Sequence, residues 1–317
     1  MTKLFKRTTY SILSITLTLS LSACSYAANQ TLNKNTVNTG YITDKEIPEA
    51  SGLAISQRQK NVLWVLNDSG NKPWIFAINE QGERLGTVKI KGVKNKDWED
   101  LASFKYQGKS YLLIADVGDN SAKRKKYFLH FIKEPKANKL SPDEPLSVKP
   151  EWSIEFTYED GPRDCESVAL DLKNNKILLL SKRDKPPVLY ELPMRKSDKK
   201  EELIAQKLGD IKPLPEPEVQ DVRALKNLFY AKRPTAMDMS ADGSALIVLT
   251  YVKAYLYQNK TRSNWASVLA QSPKEIDLPY LQQGESICFD HDGQSIYVTS
   301  EGLPAPLFKV DLKDSLH

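Results

Sequence analysis

The stretch Glu166-Ser167-Val168-Ala169-Leu170-Asp171 decides the fold, because versions of it recur along the chain. Large apolar residues occupy its third position and small residues usually its fourth, which suits an innermost strand squeezed between neighbouring sheets. The spacings between successive copies are 48, 67, 69 and 50 residues. A propeller blade takes ~40–50 residues, so the spacings fit blades with loop insertions. The five copies, of which the fourth is degraded, start at Ser51, Glu99, Glu166, Thr235 and Glu285.

Each copy is followed by a turn and by further short apolar runs, with little helical periodicity. Asp242-Gly243 and Asp292-Gly293 precede the runs 245–249 and 295–299, and such dipeptides supply the positive φ angles of tight hairpins. The sequence therefore predicts an all-β protein, a β-propeller of five four-stranded blades. A sixth blade within residues 193–234 is the alternative, although the proline-rich composition of that segment favours an insertion.

The ends of the chain predict how the ring closes. Only three strands fit between Glu285 and the last residue, so the fifth blade lacks an outer strand. Residues 40–47 have no blade of their own and can supply this strand, which removes an exposed sheet edge. The predicted organisation is a signal peptide (1–23), a flexible tether (24–39) and a single propeller domain (40–317).

The first residues predict export and a lipid anchor. Three basic residues precede an apolar stretch, 10–21, that is too short for a committed membrane span. The following Leu21-Ser22-Ala23-Cys24 resembles a bacterial lipobox, which implies acylation of Cys24, including palmitate, and a membrane as partner. Ser25 rather than Asp follows, which resembles sorting to the outer membrane, facing the periplasm. Cleavage within 25–28, with loss of Cys24, is the alternative.

Composition excludes several functional classes. Without residues 1–23 the formal net charge falls from +5 to +2, and the remaining basic runs lie among acids or in long loops, so no nucleic-acid partner is expected. Three histidines leave little for a His-based metal site. Cys165 and Cys288 are expected as buried small hydrophobes in inner strands of non-adjacent blades. Ser69 and Ser167 lack a nucleophile elbow and a histidine partner, which argues against a serine hydrolase.

The repeats, which open with Ala50-Ser51-Gly52-Leu53-Ala54, resemble the SdiA-regulated family of five-bladed propellers from about residue 48 to 312. They are also similar to a wider group of secreted bacterial propellers, including phytase-like and gluconolactonase-like proteins. The copy at Thr235 and the long loops 121–150 and 193–234 depart from the family pattern. The resemblance implies a propeller in the bacterial envelope, but it fixes no reaction, because propellers host many unrelated functions.

Topology predicts where polar residues gather. In a meandering blade the start of the first strand and the end of the second lie on the same rim of the channel. The predicted rim residues are Asp68, Glu99, Asp116, Glu166, Lys182, Arg183, Tyr251, Glu285 and Glu301. Converging carboxylates repel each other unless a hard cation, the nearby basic groups or raised pKa values neutralise them.

Three interpretations of these acids stay open. They bond to backbone amides of the neighbouring blade, they hold Ca²⁺ through Glu99, Glu166 and Glu285, or they form a catalytic carboxylate set. The leading functional hypothesis is a non-catalytic, envelope-anchored propeller that binds a small ligand, peptide or partner protein at the rim through Ca²⁺. The alternatives are a metal-dependent hydrolase of a phosphoester, ester or lactone, and a purely structural scaffold.

Overall fold

The computed structural model describes residues 32–196, 202–215 and 230–316. The predicted signal peptide, Cys24 and the first half of the predicted tether lie outside these residues. None of the helices in the described part of the chain has the length and apolar character needed to cross a membrane.

The first strand of the described residues is β1 (Thr36–Ile42), and five antiparallel meanders follow it, which we call blades 1 to 5. Blade 1 contains β2 (Ala50–Ile55), β3 (Val62–Asn67), β4 (Trp74–Asn79) and β5 (Arg84–Ile90). Blade 2 contains β6 (Trp98–Tyr106), β7 (Lys109–Asp116), β8 (Tyr127–Lys133) and, after the short β9 (Leu146–Val148), β10 (Trp152–Tyr158). Blade 3 contains β11 (Cys165–Asp171), β12 (Lys176–Ser181), β13 (Val188–Pro193) and β14 (Glu202–Asp210).

Blade 4 contains β15 (Pro234–Met239), β16 (Ala245–Thr250), β17 (Ala254–Gln258) and β18 (Lys274–Ile276). Blade 5 contains β19 (Gly284–Phe289), β20 (Ser295–Ser300) and β21 (Ala305–Asp311), and β1 is its outer strand. In the described residues, two short helices, α1 (Trp265–Leu269) and α2 (Lys313–Leu316), lie outside the sheets. The five inner strands β2, β6, β11, β15 and β19 contact one another in a ring. The prediction of an all-β propeller is confirmed, and the arrangement is compatible with five blades.

The outer strands do more than complete their own blades. Strand β14 pairs antiparallel with β13 and also parallel with β10, so that blades 2 and 3 share one eight-stranded sheet. Strand β9 pairs parallel with β5 at the edge of blade 1. The segment 193–234 therefore contributes the fourth strand of blade 3 through its residues 202–210.

Strand β1 pairs antiparallel with β21, from Thr36 opposite Val310 to Ile42 opposite Ala305. It starts at Thr36, four residues before the predicted Gly40, so the last part of the predicted tether belongs to the sheet. The physical reason is that Thr36 is buried and that its Oγ1 donates a hydrogen bond to Asn33 Oδ1 at 2.7 Å. Ile42, at the other end of the strand, is fully buried.

The hydrophobic core lies between neighbouring blades rather than in one central mass. Five clusters of buried apolar side chains occupy the five contacts between blades. Leu101, at the third position of its repeat, packs in the same cluster as Ala54, at the fourth position of the preceding blade. Leu53 and Cys288 meet in the same way, so the first and last blades are in direct contact. Cys165 and Cys288 are buried free thiols, as expected.

Candidate functional site

A β-bulge occurs at the same position in all five inner strands. In blade 2, Trp98 pairs with Asp116 and Asp100 pairs with Ala115, so Glu99 between them has no partner in the ladder. The same interruption in the other blades leaves four residues without a partner on the neighbouring strand: Ser51, Glu166, Thr235 and Glu285. Because a bulge redirects a side chain out of the regular alternation, the first position of every repeat can project toward the channel. This explains why the second residue of each inner strand is polar and buried, two positions before the large apolar residue of the repeat.

We call the end of the channel at which the inner strands start the rim. Asp68, Lys182, Tyr251 and Glu301 each directly follow the last residue of the second strand of a blade, and therefore lie at this end. Asp116 is instead the last residue of β7 itself. The predicted residues thus lie at one end of the propeller. Seven of them form three local groups, while Asp116 pairs with Arg124 and Arg183 pairs with Asp164.

The first group contains three carboxylates from blades 1 and 2. Oxygens of Asp68, Asp97 and Glu99 all lie within 4.8 Å of one another, and we call this group the carboxylate cup. Ser51 Oγ donates a hydrogen bond to Glu99 Oε2 at 3.2 Å. Gly118 forms a wall of the cup, because a methyl group at this position would overlap Glu99 Oε1 and lie 2.7 Å from Asp97 Oδ2. A side chain at this position would displace these two carboxylates.

Burial and repulsion from neighbouring carboxylates raise the pKa values of all three carboxyl groups in the carboxylate cup. Burial and the neighbouring Asp68 carboxylate raise the pKa of Asp97 to about 6. Burial, Glu166 and Asp68 raise the pKa of Glu99 well above its usual range. Burial also raises the pKa of Asp68, and Glu285 adds to the shift. A cation bound between these groups would relieve both the burial cost and the mutual repulsion.

The loop after β7 holds the glycine wall in place through Arg124. The Arg124 guanidinium pairs with Asp116 Oδ1 at 2.7 Å and donates hydrogen bonds to the backbone carbonyls of Gly118 and Asp116, at 2.8 and 3.2 Å. The Arg124 backbone amide donates to Asp119 Oδ2 at 2.7 Å. Asp116 and Arg124 therefore shape the loop, and neither leaves a free charge for a ligand.

The second group is built around Lys182. Its ammonium group pairs with Glu166, and both side chains are buried. The nitrogen also lies 5.0 Å from the centre of the Tyr251 ring, a cation–π geometry. Burial opposes the charge on Lys182, but Glu166 and Glu285 hold its pKa above the ordinary value, so the lysine stays charged.

The third group joins Glu285 and Glu301 through Gln283. The Gln283 side-chain amide donates hydrogen bonds to Glu285 Oε1 at 2.8 Å and to Glu301 Oε2 at 2.5 Å. Burial and the adjacent Glu285 raise the pKa of Glu301 to about 10. At neutral pH Glu301 therefore keeps its proton and can donate a hydrogen bond.

The charges at the rim do not balance. Among the described residues, three basic side chains of the rim are already paired, Arg124 with Asp116, Lys182 with Glu166 and Arg183 with Asp164, and Arg233 stacks on the Tyr230 ring at 4.3 Å. The carboxyl groups of Asp68, Asp97, Glu99, Glu285 and Glu301 form no ion pair with a basic side chain of the described residues.

The predicted metal set differs from the group that the structure brings to ligand spacing. Of Glu99, Glu166 and Glu285, only Glu99 belongs to the carboxylate cup, because Lys182 pairs with Glu166 and Gln283 bonds Glu285. Within the described part of the chain, the three carboxylates at ligand spacing are Asp68, Asp97 and Glu99.

Asp97 and Gln283 are not among the predicted rim residues, although the sequence carries a signal for them. Both lie two residues before the bulged residue of their repeat. The five residues at this position are all polar: Glu49, Asp97, Asp164, Arg233 and Gln283. Aligning the repeats two residues further upstream would have indicated a second polar position at the rim.

Comparison with known proteins supports the fold. The structure is similar to the crystal structure of the major Malassezia sympodialis allergen Mala s 1, with a TM-score of 0.53 and 11% sequence identity, over 89% of this chain and 97% of that one. No protein-family model and no curated protein sequence matches the chain. The resemblance to the SdiA-regulated family therefore stays a prediction, and the likeness to Mala s 1 concerns the β-propeller fold alone.

Proposed function

We propose that the protein is a lipid-anchored envelope propeller that binds a small ligand, peptide or partner protein at its rim through Ca²⁺. The observation that carries this proposal is the carboxylate cup, in which Asp68, Asp97 and Glu99 lie at ligand spacing without a basic partner. The lipobox-like Leu21-Ser22-Ala23-Cys24 supports the anchor.

The chemistry of the cup favours a hard cation. Ca²⁺ takes six to eight oxygen ligands, with flexible geometry, and prefers carboxylates. Three carboxylates leave coordination positions open, so oxygen atoms of a bound ligand could complete the shell. The nearby Glu301, protonated at neutral pH, would donate a hydrogen bond to such an oxygen.

Thermal unfolding of the full chain with excess Ca²⁺ or with EDTA tests this proposal. A ligand at 100 times its dissociation constant stabilises the folded state by about 2.7 kcal/mol, so Ca²⁺ should raise the melting temperature. The double variant Asp97→Asn/Glu99→Gln should lose this increment. The control Glu144→Gln should keep it, because Glu144 is exposed and lies just before β9, at the outer edge of blade 1.

A second double variant separates the two candidate metal sets. If Glu166→Gln/Glu285→Gln abolishes the Ca²⁺ response while the cup variant retains it, the cation binds at the predicted set and not in the cup. A wild-type protein that melts at the same temperature in Ca²⁺ and in EDTA would remove Ca²⁺ from the proposal.

Hydrolysis of a phosphoester, ester or lactone is a second candidate, and one observation favours it. Burial and the adjacent Glu285 keep Glu301 protonated at neutral pH, and repulsion from the Asp68 carboxylate adds to the rise in its pKa. An acid of this kind beside a cation site could protonate a leaving group. Ca²⁺-dependent turnover that is lost in Glu301→Gln would support hydrolysis, whereas absence of turnover on all three substrate classes would leave binding.

A further inference from the structure

A cavity of about 590 Å³ opens at the end of the channel opposite the rim. It is lined by the last residues of the inner strands, and its size lies in the range of small-molecule sites. The side chains at the fifth position of the five repeats line it: Ile55, Ser103, Leu170, Met239 and Phe289. Four of these five are apolar, so the inner part of the cavity offers a hydrophobic surface.

The residue at the fourth position of the repeat differs in one wall of the cavity. The fourth position is Ala54, Ala102, Ala169 or Cys288 in four blades, but Asp238 in blade 4. Asp238 lines the cavity, and its Oδ2 accepts a hydrogen bond from the Phe289 backbone amide at 2.8 Å. Burial raises the pKa of Asp238 to about 7, so this carboxyl carries only part of a negative charge near neutral pH.

The other acids that line the cavity have partners of their own. Asp242 accepts hydrogen bonds from the Ser240 and Ser244 hydroxyls, at 2.6 and 2.8 Å. Asp290 pairs with Lys309 at 2.5 Å. Lys309 therefore neutralises Asp290, whereas Asp242 is held by hydrogen bonds alone and keeps its negative charge at the blade 4 side of the cavity.

The two lysines at the mouth of the cavity, by contrast, have no ion-pair partner among the described residues. Lys105, in the β6–β7 hairpin, and Lys173, in the β11–β12 hairpin, line the cavity from adjacent blades and are exposed. Neither forms an ion pair with an acid of the described chain, in contrast to the neighbouring Lys176, which pairs with Glu191 at 2.5 Å. The two unpaired ammonium groups outweigh the unpaired Asp242 carboxylate and the partly ionised Asp238, so the balance of charge in the lining is positive on the side of Lys105 and Lys173.

We propose that this cavity binds a small amphipathic anion. Its apolar body packs on Ile55, Leu170 and Phe289, and its anionic head lies at the mouth between Lys105 and Lys173. This binding is separate from the rim, because it uses the other ends of the inner strands and needs no cation.

Calorimetric titration of the full chain with decanoate tests the proposal, with decyltrimethylammonium as a probe of similar tail length and opposite charge. We expect saturable binding of decanoate at one site and weaker binding of the cation. Lys105→Gln/Lys173→Gln should weaken decanoate binding by about tenfold, the sum of two exposed charge interactions. The control Lys109→Gln, in the same hairpin as Lys105 but not lining the cavity, should bind as the wild type does.

A cavity-filling variant, Ser103→Phe, should abolish binding, and its melting temperature shows whether it folds. If this variant does not fold, the paired lysine variants decide the question. Absence of saturable decanoate binding, tighter binding of decyltrimethylammonium, or equal affinity in the wild type and the double lysine variant would overturn the proposal. Calcium titrations of the same variants keep the two sites distinct, since the cavity variants should leave the Ca²⁺ response unchanged.

Discussion

Lowering the pH from 7 to 5 should weaken Ca²⁺ binding at the carboxylate cup by about tenfold through Asp97 alone. The pKa of Asp97 in the cation-free protein is about 6. A carboxyl group with this pKa is about nine-tenths ionised at pH 7 and about one-tenth at pH 5, and Ca²⁺ must displace the remaining proton. Glu99, whose pKa is also raised, makes the dependence steeper, so tenfold is a lower bound.

The same shift has the opposite effect on the stability of the cation-free protein. Because folded Asp97 holds its proton more tightly than the unfolded chain does, its contribution to the free energy of unfolding is full below about pH 4. This contribution is lost as the pH rises through about 6. Stability in EDTA should therefore fall over the range in which Ca²⁺ affinity rises.

Isothermal titration with Ca²⁺ at pH 5, 6, 7 and 8 measures the effect. Asp97→Asn should bind Ca²⁺ more weakly at pH 7 and show a flatter pH dependence, and the control Glu144→Gln should follow the wild type. Equal wild-type affinity at pH 5 and pH 7, or an unchanged slope in Asp97→Asn, would refute the assignment of Asp97 as a ligand.

Three further predictions concern the wall of the cup, the closing strand and the anchor. Gly118→Ala should fold but lose most of the Ca²⁺-induced rise in melting temperature, because its methyl group displaces Asp97 and Glu99; an unchanged rise would contradict the close packing. Deleting residues 25–31 should leave the melting temperature unchanged, whereas deleting 25–42 should lower it clearly. Burial of Ile42 alone contributes about 1.5–3 kcal/mol of the 5–15 kcal/mol typical of a domain, and equal melting of both truncations would disprove closure by β1. Cys24→Ala should release the protein from membranes in cell fractionation, and wild-type protein found only in the soluble fraction would exclude the lipid anchor.

The repeat made the fold predictable because its chemistry is dictated by close packing. A large third residue needs a small fourth residue in the preceding blade, as Leu101 and Ala54 show, so the pattern survives where loops vary in length. The grouping of acids at one end also followed from the sequence, since Glu99, Glu166 and Glu285 share a repeat position. The departure at Asp238 was visible too, as a polar residue where four blades have a small one.

The pairing of side chains within the rim could not be predicted in the same way. Which carboxylates meet depends on bulges and loop conformations, and these shift atoms by a few ångströms without leaving a periodic signal. Asp97 joins the cup because the loop that Arg124 fixes brings Gly118 against it. Glu166 lies outside the cup, because its carboxylate pairs with Lys182. The parallel pairing of β14 with β10 is equally non-local.

The direction of β1 determines how the propeller would be presented on a membrane. Strand β21 runs away from the rim, and Thr36 lies opposite Val310 near its far end, so the chain before residue 36 departs from the cavity-bearing face. The twelve residues from Cys24 to Asn35 span at most about 40 Å when fully extended. A lipid on Cys24 would therefore hold the point where β1 leaves the cavity-bearing face within about 40 Å of the bilayer. The carboxylate cup lies at the opposite end of the channel from this point of attachment.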